Sequence, residues 1–338
     1  MVAQKVRFED MKVQDIREAV FSRYQEKEAK RTQRKHALGA SQIGRPCSRE
    51  IWYGFRLCTK SSFPGRILRL FRRGFEAEPQ FVEELNDIGL TVKSHNDDGK
   101  QFRVSTHKGH CACNFDGVVQ GITDEGIDAS DFGLAEFKTH NDKSFKGLKK
   151  GVRLSKEEHY AQMQLSMGLA GFKFAVYEAE NKNDSDIHVE LVRLDTGAYE
   201  RFEERAKMII FSTTPPEKIS DKPDWYQCKC CDAYSVCKEE KIPLVNCCTC
   251  IHSTPVDGGK WSCKLGGVIP DAVLLEGCPE HLFIPNLLPF EVIDGDDGWI
   301  KYSKGDKTIW NVAASGFSKF GDGDLTYSSI DLFELGGE

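Results

Sequence analysis

The sequence predicts an α/β or α+β fold, a mixed central sheet flanked by helices, with a small cysteine-rich module near the C-terminal end. Three observations carry this expectation. Stretches with helical spacing precede and interrupt stretches with strand alternation, the order that builds a mixed sheet covered by helices. The 338 residues, 40% hydrophobic and 29% charged, allow one large core plus an appendage. Eight of the thirteen cysteines fall between Cys228 and Cys263, a clustering that favours metal over a disulfide framework in a cytosolic chain.

Residues 9–35 read as a charged helix with Ile16, Val20 and Tyr24 as its inward stripe. In HALGASQIGRPCSREIWYGF, Gly39 and Gly44 loosen the backbone and Pro46 breaks it, and a new helix holds Ile51 to Phe55. Ser41, Arg45 and Arg49 gather a hydroxyl and two guanidinium groups around Cys47, which suits a phosphate. The next helix spaces Leu70, Phe71, Phe75, Phe81, Val82 and Leu85 on one stripe and ends at Gly89; Glu78 is one of its several glutamates. LTVKS, QFRVSTH and two apolar runs, Val118 to Ile122 and Leu134 to Thr139, read as a meander of strands. The basic stretch THNDKSFKGLKKGVRLS is expected to be a mobile loop. Ser155 and Glu158 fit a capping box for the helix SKEEHYAQMQLSMGLAG, where Gln162 shares a stripe with Leu165 and Leu169. Two strands, FKFAVYEAE and IHVELVRL, and a helix from Thr196 to Ile210 follow. Pro215, Pro216 and Pro223 mark a boundary.

No apolar run is long enough for a membrane span and the N-terminus lacks a signal-peptide core, so a cytoplasmic protein without membrane contact is expected. The net charge of −6 conceals an asymmetry: residues 1–75 hold 18 Lys and Arg against 7 Asp and Glu, a balance of +11, which leaves −17 for the rest. Such a basic segment suits a polyanion, and equally a solvated basic helix.

Asp116 opens the first strand of the pair around residues 116–139. Glu136 and Lys138 stand two apart in the second, hence on one face. Clustered carboxylates repel unless a cation lies between them, and hard oxygen ligands suit Mg²⁺ or Mn²⁺. Lys138 would then orient or deprotonate a water and stabilise phosphate charge. The same residues also suit a half-exposed hairpin with surface charges.

Taken together, these pieces resemble the PD-(D/E)xK nuclease superfamily, with its restriction-endonuclease-like core. Arg73-Gly74 with Glu78, then Asp116, then Glu136-Phe137-Lys138, then the helix AQMQLSM from Ala161 to Met167 are similar to the phage lambda exonuclease type. The resemblance implies a Mg²⁺ or Mn²⁺ site at Glu78, Asp116, Glu136 and the Phe137 carbonyl, with Lys138 and Gln162 as further catalytic residues. It also implies that Arg34 and Ser41 grip a DNA 5′-phosphate, with Arg45 and Arg49 as rivals. A second branch, the iron–sulfur nucleases of CRISPR-associated and AddAB helicase–nuclease type, is matched by Cys47 and the run Cys228-x2-Cys231-x5-Cys237. Four thiolates suit a [4Fe–4S] cluster stapling the ends of the nuclease domain; a structural zinc site is the alternative, and the separation of about 180 residues between Cys47 and the other three favours the cluster. Ser166 stands where that branch has a tyrosine. The resemblance covers about residues 30–240.

The implied division is a basic helix (1–35), a nuclease domain (36–240), a zinc module (244–285), and a β-hairpin with an acidic tail (286–338). Cys247, Cys250, Cys263 and Cys278 have zinc spacing, with Cys248, His252 and His281 as spare donors. The segment FEVIDGDDGWIKYSKGDKTIWNV reads as strand, turn, strand, with a mobile acidic end. Cys58, Cys111, Cys113, Cys230 and Cys248 are left as small core residues. The implied function is a DNA exonuclease acting 5′ to 3′ in phage-type recombination, replication or repair, with DNA ends and a single-strand annealing or other recombination protein as partners and homo-oligomers allowed. The rivals are an end-trimming nuclease or endonuclease of the CRISPR-associated type, and a non-catalytic DNA-end binding protein.

Overall fold

In the computed structural model, which describes residues 12–30, 37–320 and 325–335, the chain is organised on a five-stranded mixed sheet. Helices α1 (Ile16–Ala29), α2 (Ser48–Phe55) and α3 (Gly65–Asp87) come first, with a short strand β1 (Leu38–Gly39) between the first two. Strands β2 (Thr91–Lys93), β3 (Arg103–Thr106), β4 (Cys111–Asn114), β5 (Gly117–Gln120) and β6 (Gly133–His140) follow. Helices α4 (Asp142–Gly147), α5 (Val152–Ser155) and α6 (Glu157–Ala170) lead to β7 (Phe174–Asn181), β8 (Ile187–Arg193) and α7 (Thr196–Phe211). The central sheet runs β2-β5-β6-β7-β8; β6 and β7 are parallel and the other neighbours antiparallel. α6 lies over one face. On the other, α3 packs Phe81 and Leu85 against Val119, Phe137 and Val176.

The expected meander is divided between two sheets. β2 pairs directly with β5, while β3 and β4 join β1 in a separate three-stranded sheet. The cause is local: His107, Lys108 and Gly109 all take positive φ and fold β3 back on β4, and Cys111, Ala112 and Cys113 are buried without alternation.

The basic stretch after β6 is helical and packed. Asn141 caps α4 by accepting from the Ser144 amide at 2.9 Å, and Leu148 and Val152 are fully buried. Ser155 does not cap α6; its hydroxyl donates to the Gly151 carbonyl at 2.7 Å. The stripes of the first helices also differ from expectation. α1 touches α3 through Phe21, whose backbone lies where a Gly65 Cβ would stand, and through Tyr24, which accepts from Arg72. Ile16 and Val20 stay exposed, as do Leu70, Phe71 and Phe75 of α3. A helix with a single neighbour buries only a narrow line.

A short helix α8 (Tyr234–Lys238) precedes the cysteine-rich strands β9 (Ser253–Val256), β10 (Lys260–Cys263) and β11 (Gly267–Ile269). β12 (Glu291–Asp296), β13 (Trp299–Lys304), β14 (Lys307–Val312) and β15 (Thr326–Tyr327) form a four-stranded sheet, and α9 (Ser329–Leu335) follows. The expected single hairpin is therefore a three-strand meander plus a parallel fourth strand. The acidic end is anchored where it is described: Leu332 is buried with Phe283 and Tyr302, and the Ser329 hydroxyl donates to the His281 carbonyl at 2.8 Å.

Trp261 of β10 joins the cysteine-rich strands to the first core. It is buried beside Phe55, ring centroids 5.4 Å apart, and under the Arg56 guanidinium at 5.1 Å. Arg56 also donates to the carbonyls of Ser212, at 2.8 Å, and Cys248. His110 hydrogen-bonds the carbonyls of Val256 and Lys260, both at 2.9 Å. Trp261→Ala is expected to cost about 3–5 kcal/mol. Urea denaturation read by both fluorescence and circular dichroism should show one transition moved to lower urea; two separated transitions would show that the segments fold independently.

Candidate active site

β5 and β6 pair with Gly117 opposite Ala135, which sets Asp116 across from Glu136. Alternation along β6 puts Glu136, 1% exposed, and Lys138, a quarter exposed, on the face covered by α6. One Asp116 oxygen accepts from the Phe137 amide at 2.9 Å and lies 3.5 Å from the Lys138 ammonium. Lys138 donates to Glu136 and, at 3.0 Å, to the Phe137 carbonyl. From α6, Gln162 donates its amide to the second Glu136 oxygen at 3.0 Å. Glu78 comes from α3, whose Phe81 stacks on Phe137 with ring centroids 5.1 Å apart. That stack, one turn beyond Glu78, holds the glutamate close enough for Asp116 and Lys138 to influence its charge.

The electrostatics follow from crowding. Burial and then the Asp116 charge push the half-buried Glu78 up to about 7. Burial also raises Glu136, with Asp116 and Glu78 adding repulsion and Lys138 opposing it. For Lys138 burial disfavours the charge, but Glu136 and Asp116 outweigh burial and hold the ammonium above its ordinary value. Lys138 is therefore a charged donor and not a free base in this arrangement. Among the described residues no group of three or more His, Cys, Asp or Glu side chains is gathered closely enough to hold a metal ion as it stands; the carboxylates close on Lys138 instead. The donor set itself, three carboxylates and a carbonyl, has the hard oxygen chemistry that suits Mg²⁺ or Mn²⁺.

The structure adds residues that the sequence reading missed. His140 continues the alternation of Glu136 and Lys138, and its ring meets the Tyr177 hydroxyl at 2.9 Å; His159, one turn before Gln162 on α6, meets the same hydroxyl at 3.0 Å. Burial first, then neighbouring lysines that include Lys138, pushes His140 down to about 4 and His159 to about 3, so both rings are neutral. Extending the period-two pattern by two residues is the signal that would have found His140.

The four residues considered for phosphate are dispersed in role. Arg34 lies outside the described residues. Ser41 is exposed in a turn whose neighbour Gly44 abuts Glu158 of α6 so closely that a Cβ would come within 2.5 Å of its Cα. Arg45 pairs with Glu50 at 2.8 Å, and Arg49 donates to the Pro216 carbonyl.

Cys47, Cys228, Cys231 and Cys237 line one small cavity beside Glu50 and Tyr53, although some 180 residues separate the first from the rest. Burial pushes Cys231 up to about 12 and raises Cys237, with the neighbouring thiols adding to it. Cys247 and Cys250, raised to about 11 chiefly by burial, both feel Cys263 and Cys278. Of the spare donors, Cys248 is buried near Arg56, and His281 is held by Asn246 and Thr249. Cys58, Cys111, Cys113 and Cys248 are core residues, but Cys230 is exposed.

No protein-family model matches the chain, and no curated protein matches it. Several solved structures do. The crystal structure of SSO0001 is similar at 15% identity and a TM-score of 0.38, over 66% of this chain and 96% of that one. LHK-Exo in complex with dAMP is similar at 17% identity and a TM-score of 0.38, over 57% of this chain and 90% of that one. The alkaline exonuclease LHK-Exo from Laribacter hongkongensis is similar at 17% identity and a TM-score of 0.35, with the same coverage. At these TM-scores the likeness carries no further argument. No helix among the described residues is long and apolar enough to cross a membrane.

Glu78 gives a pH test. Its carboxyl is raised from 4.5 to about 7 in the folded chain, so folding favours the protonated form and stability falls as pH rises through 7. Without added metal, Glu78→Gln should stabilise the protein at pH 8 by about 1–2 kcal/mol, a figure discounted for partial exposure. The gain should shrink at pH 5 and vanish near pH 4, below the unfolded value of 4.5, as read by thermal melts at each pH.

Proposed function

We propose that the chain is a metal-dependent DNA exonuclease that hydrolyses phosphodiester bonds from DNA ends, acting 5′ to 3′. The observation that supports this best is the convergence of Asp116, Glu136, Lys138 and Gln162, from three separate elements, on one face of β6. A site relieved of chemistry has no use for such a costly gathering of buried charge.

Mg²⁺ or Mn²⁺ held by Glu78, Asp116, Glu136 and the Phe137 carbonyl would supply Lewis-acid activation and neutralise phosphate charge. The protein's own groups do the rest. Lys138 keeps its proton and offers it as a hydrogen bond, orienting the attacking water and stabilising negative charge that grows on the phosphate. Gln162 fixes the Glu136 carboxylate so that its other oxygen faces Lys138. Arg66, Arg69 and Arg73, exposed on the same helix as Glu78, attract the phosphate backbone, and Ser41 with Arg34 is proposed to hold the terminal phosphate, a salt-sensitive contact. Cys47 with Cys228, Cys231 and Cys237 would hold a [4Fe–4S] cluster tying α2 to the segment after α7, and Cys247, Cys250, Cys263 and Cys278 would hold zinc, each set drawing closer around its metal than it stands here. A recombination partner and a homo-oligomer belong to the same proposal, as do a cytoplasmic location and the four-part domain division.

Three experiments test this reading. Lys138→Ala should reduce digestion of end-labelled linear DNA in Mg²⁺ by about 10²–10³-fold, the scale of losing an electrostatic stabiliser of the transition state, with binding retained. Full cleavage by the variant would defeat the assignment. Circular DNA distinguishes the alternatives, since cut circles indicate an endonuclease and intact circles beside degraded linear DNA an exonuclease. Protein purified without air should absorb in the visible and contain about 4 Fe and about 1 Zn per chain. Zinc alone would replace the cluster assignment.

A further inference from the structure

The face of the central sheet turned away from Lys138 is only half covered. α3 ends over its middle, and beyond α3 runs an open groove of about 410 Å³ walled by Leu85 of α3, Ile88 just after it, Val176 of β7, and Ile187, Val189 and Leu191 of β8. Ile88 is 76% and Val189 54% exposed, so this apolar surface is bare. At its floor lies Glu178, 1% exposed, with one carboxylate oxygen that has no hydrogen-bond partner among the described residues. The neighbouring charges do not help. Glu84 carries the same sign and is taken up by the Gln80 amide at 2.7 Å, while Asp124 at the rim is already paired with Arg193 at 2.8 Å.

A buried carboxylate without a donor is costly, and the cost is removed when a cation reaches it. Burial and the Glu84 charge raise its carboxyl to about 7, in keeping with that missing donor. Phosphate is repelled by such a floor, so the groove is no path for DNA. Its outer wall is β8, the edge of the sheet, and among the described residues no strand pairs with the far side of β8. An open apolar channel bordered by unpaired backbone groups is shaped for an extended chain segment.

We propose that this groove receives an extended segment of a partner protein, laid beside β8, whose Lys or Arg side chain meets Glu178 while its aliphatic neighbours cover Ile187 and Val189. The proposal is independent of the nuclease reading.

The probe is a fluorescein-labelled peptide that alternates Val with Thr around one central Arg, compared by anisotropy with the same peptide carrying neutral citrulline in place of Arg. Saturable binding of the Arg peptide is expected, at least tenfold weaker for citrulline and for Glu178→Gln, and lost in Val189→Asp. Glu178→Gln should melt at or above the wild-type temperature, which excludes unfolding as the cause. No binding, equal binding of the two peptides, or undiminished binding to Glu178→Gln overturns the proposal. Light scattering that shows a dimer which Val189→Asp converts to monomer would assign the groove to a second copy of this chain, and would overturn it as well.

Discussion

Repulsion among Glu78, Asp116 and Glu136 is the constraint on which the arrangement of the core depends. None of the three would choose this neighbourhood. Each is delivered by an element whose position is fixed elsewhere: α3 by Phe81 and Leu85, β5 by its pairing with β6, and Glu136 by the alternation of a strand buried on both faces. Apolar packing distant from the charges overcomes their mutual dislike, and Lys138 relieves only part of it. Such stored electrostatic tension is what a site that must bind cations or stabilise a charged transition state requires.

Much of this was legible in the sequence, for definite reasons. Glu136 and Lys138 stand two apart in β6 and Asp116 one residue before β5, and period two assigns faces without reference to distant contacts. Gln162 was readable because an amide interrupted an apolar helical stripe. Glu78 was not readable from local pattern alone, since its helix carries other glutamates and only the Phe81–Phe137 stack singles it out. Cys47 and its three partners Cys228, Cys231 and Cys237 were legible only through the family resemblance of their spacing, and all four line one cavity.

The failures have equally local causes. The stretch after β6 reads as mobile because its lysines and arginine outnumber its apolar residues, yet two of those apolar residues, Leu148 and Val152, are fully buried and seat it. The division of the meander turned on three consecutive positive φ angles at His107, Lys108 and Gly109, two of them at residues whose type gives no warning. The stripe of α1 was misjudged because its partner is a single helix rather than a core. Glu178 escaped notice because strand alternation assigns it to the face opposite Lys138, where a carboxylate has no evident reason to be.

Phe137 serves both sides of the sheet. Its amide and carbonyl hold Asp116 and Lys138, while its ring belongs to the apolar layer under α3. The hydrogen bonds to Asp116 and Lys138 engage only its backbone, so the letter between Glu136 and Lys138 is free to drift among large apolar residues provided the layer beneath stays filled. A comparison that weighs side-chain identity at that position would undervalue distant kin, whereas one that weighs volume would keep them.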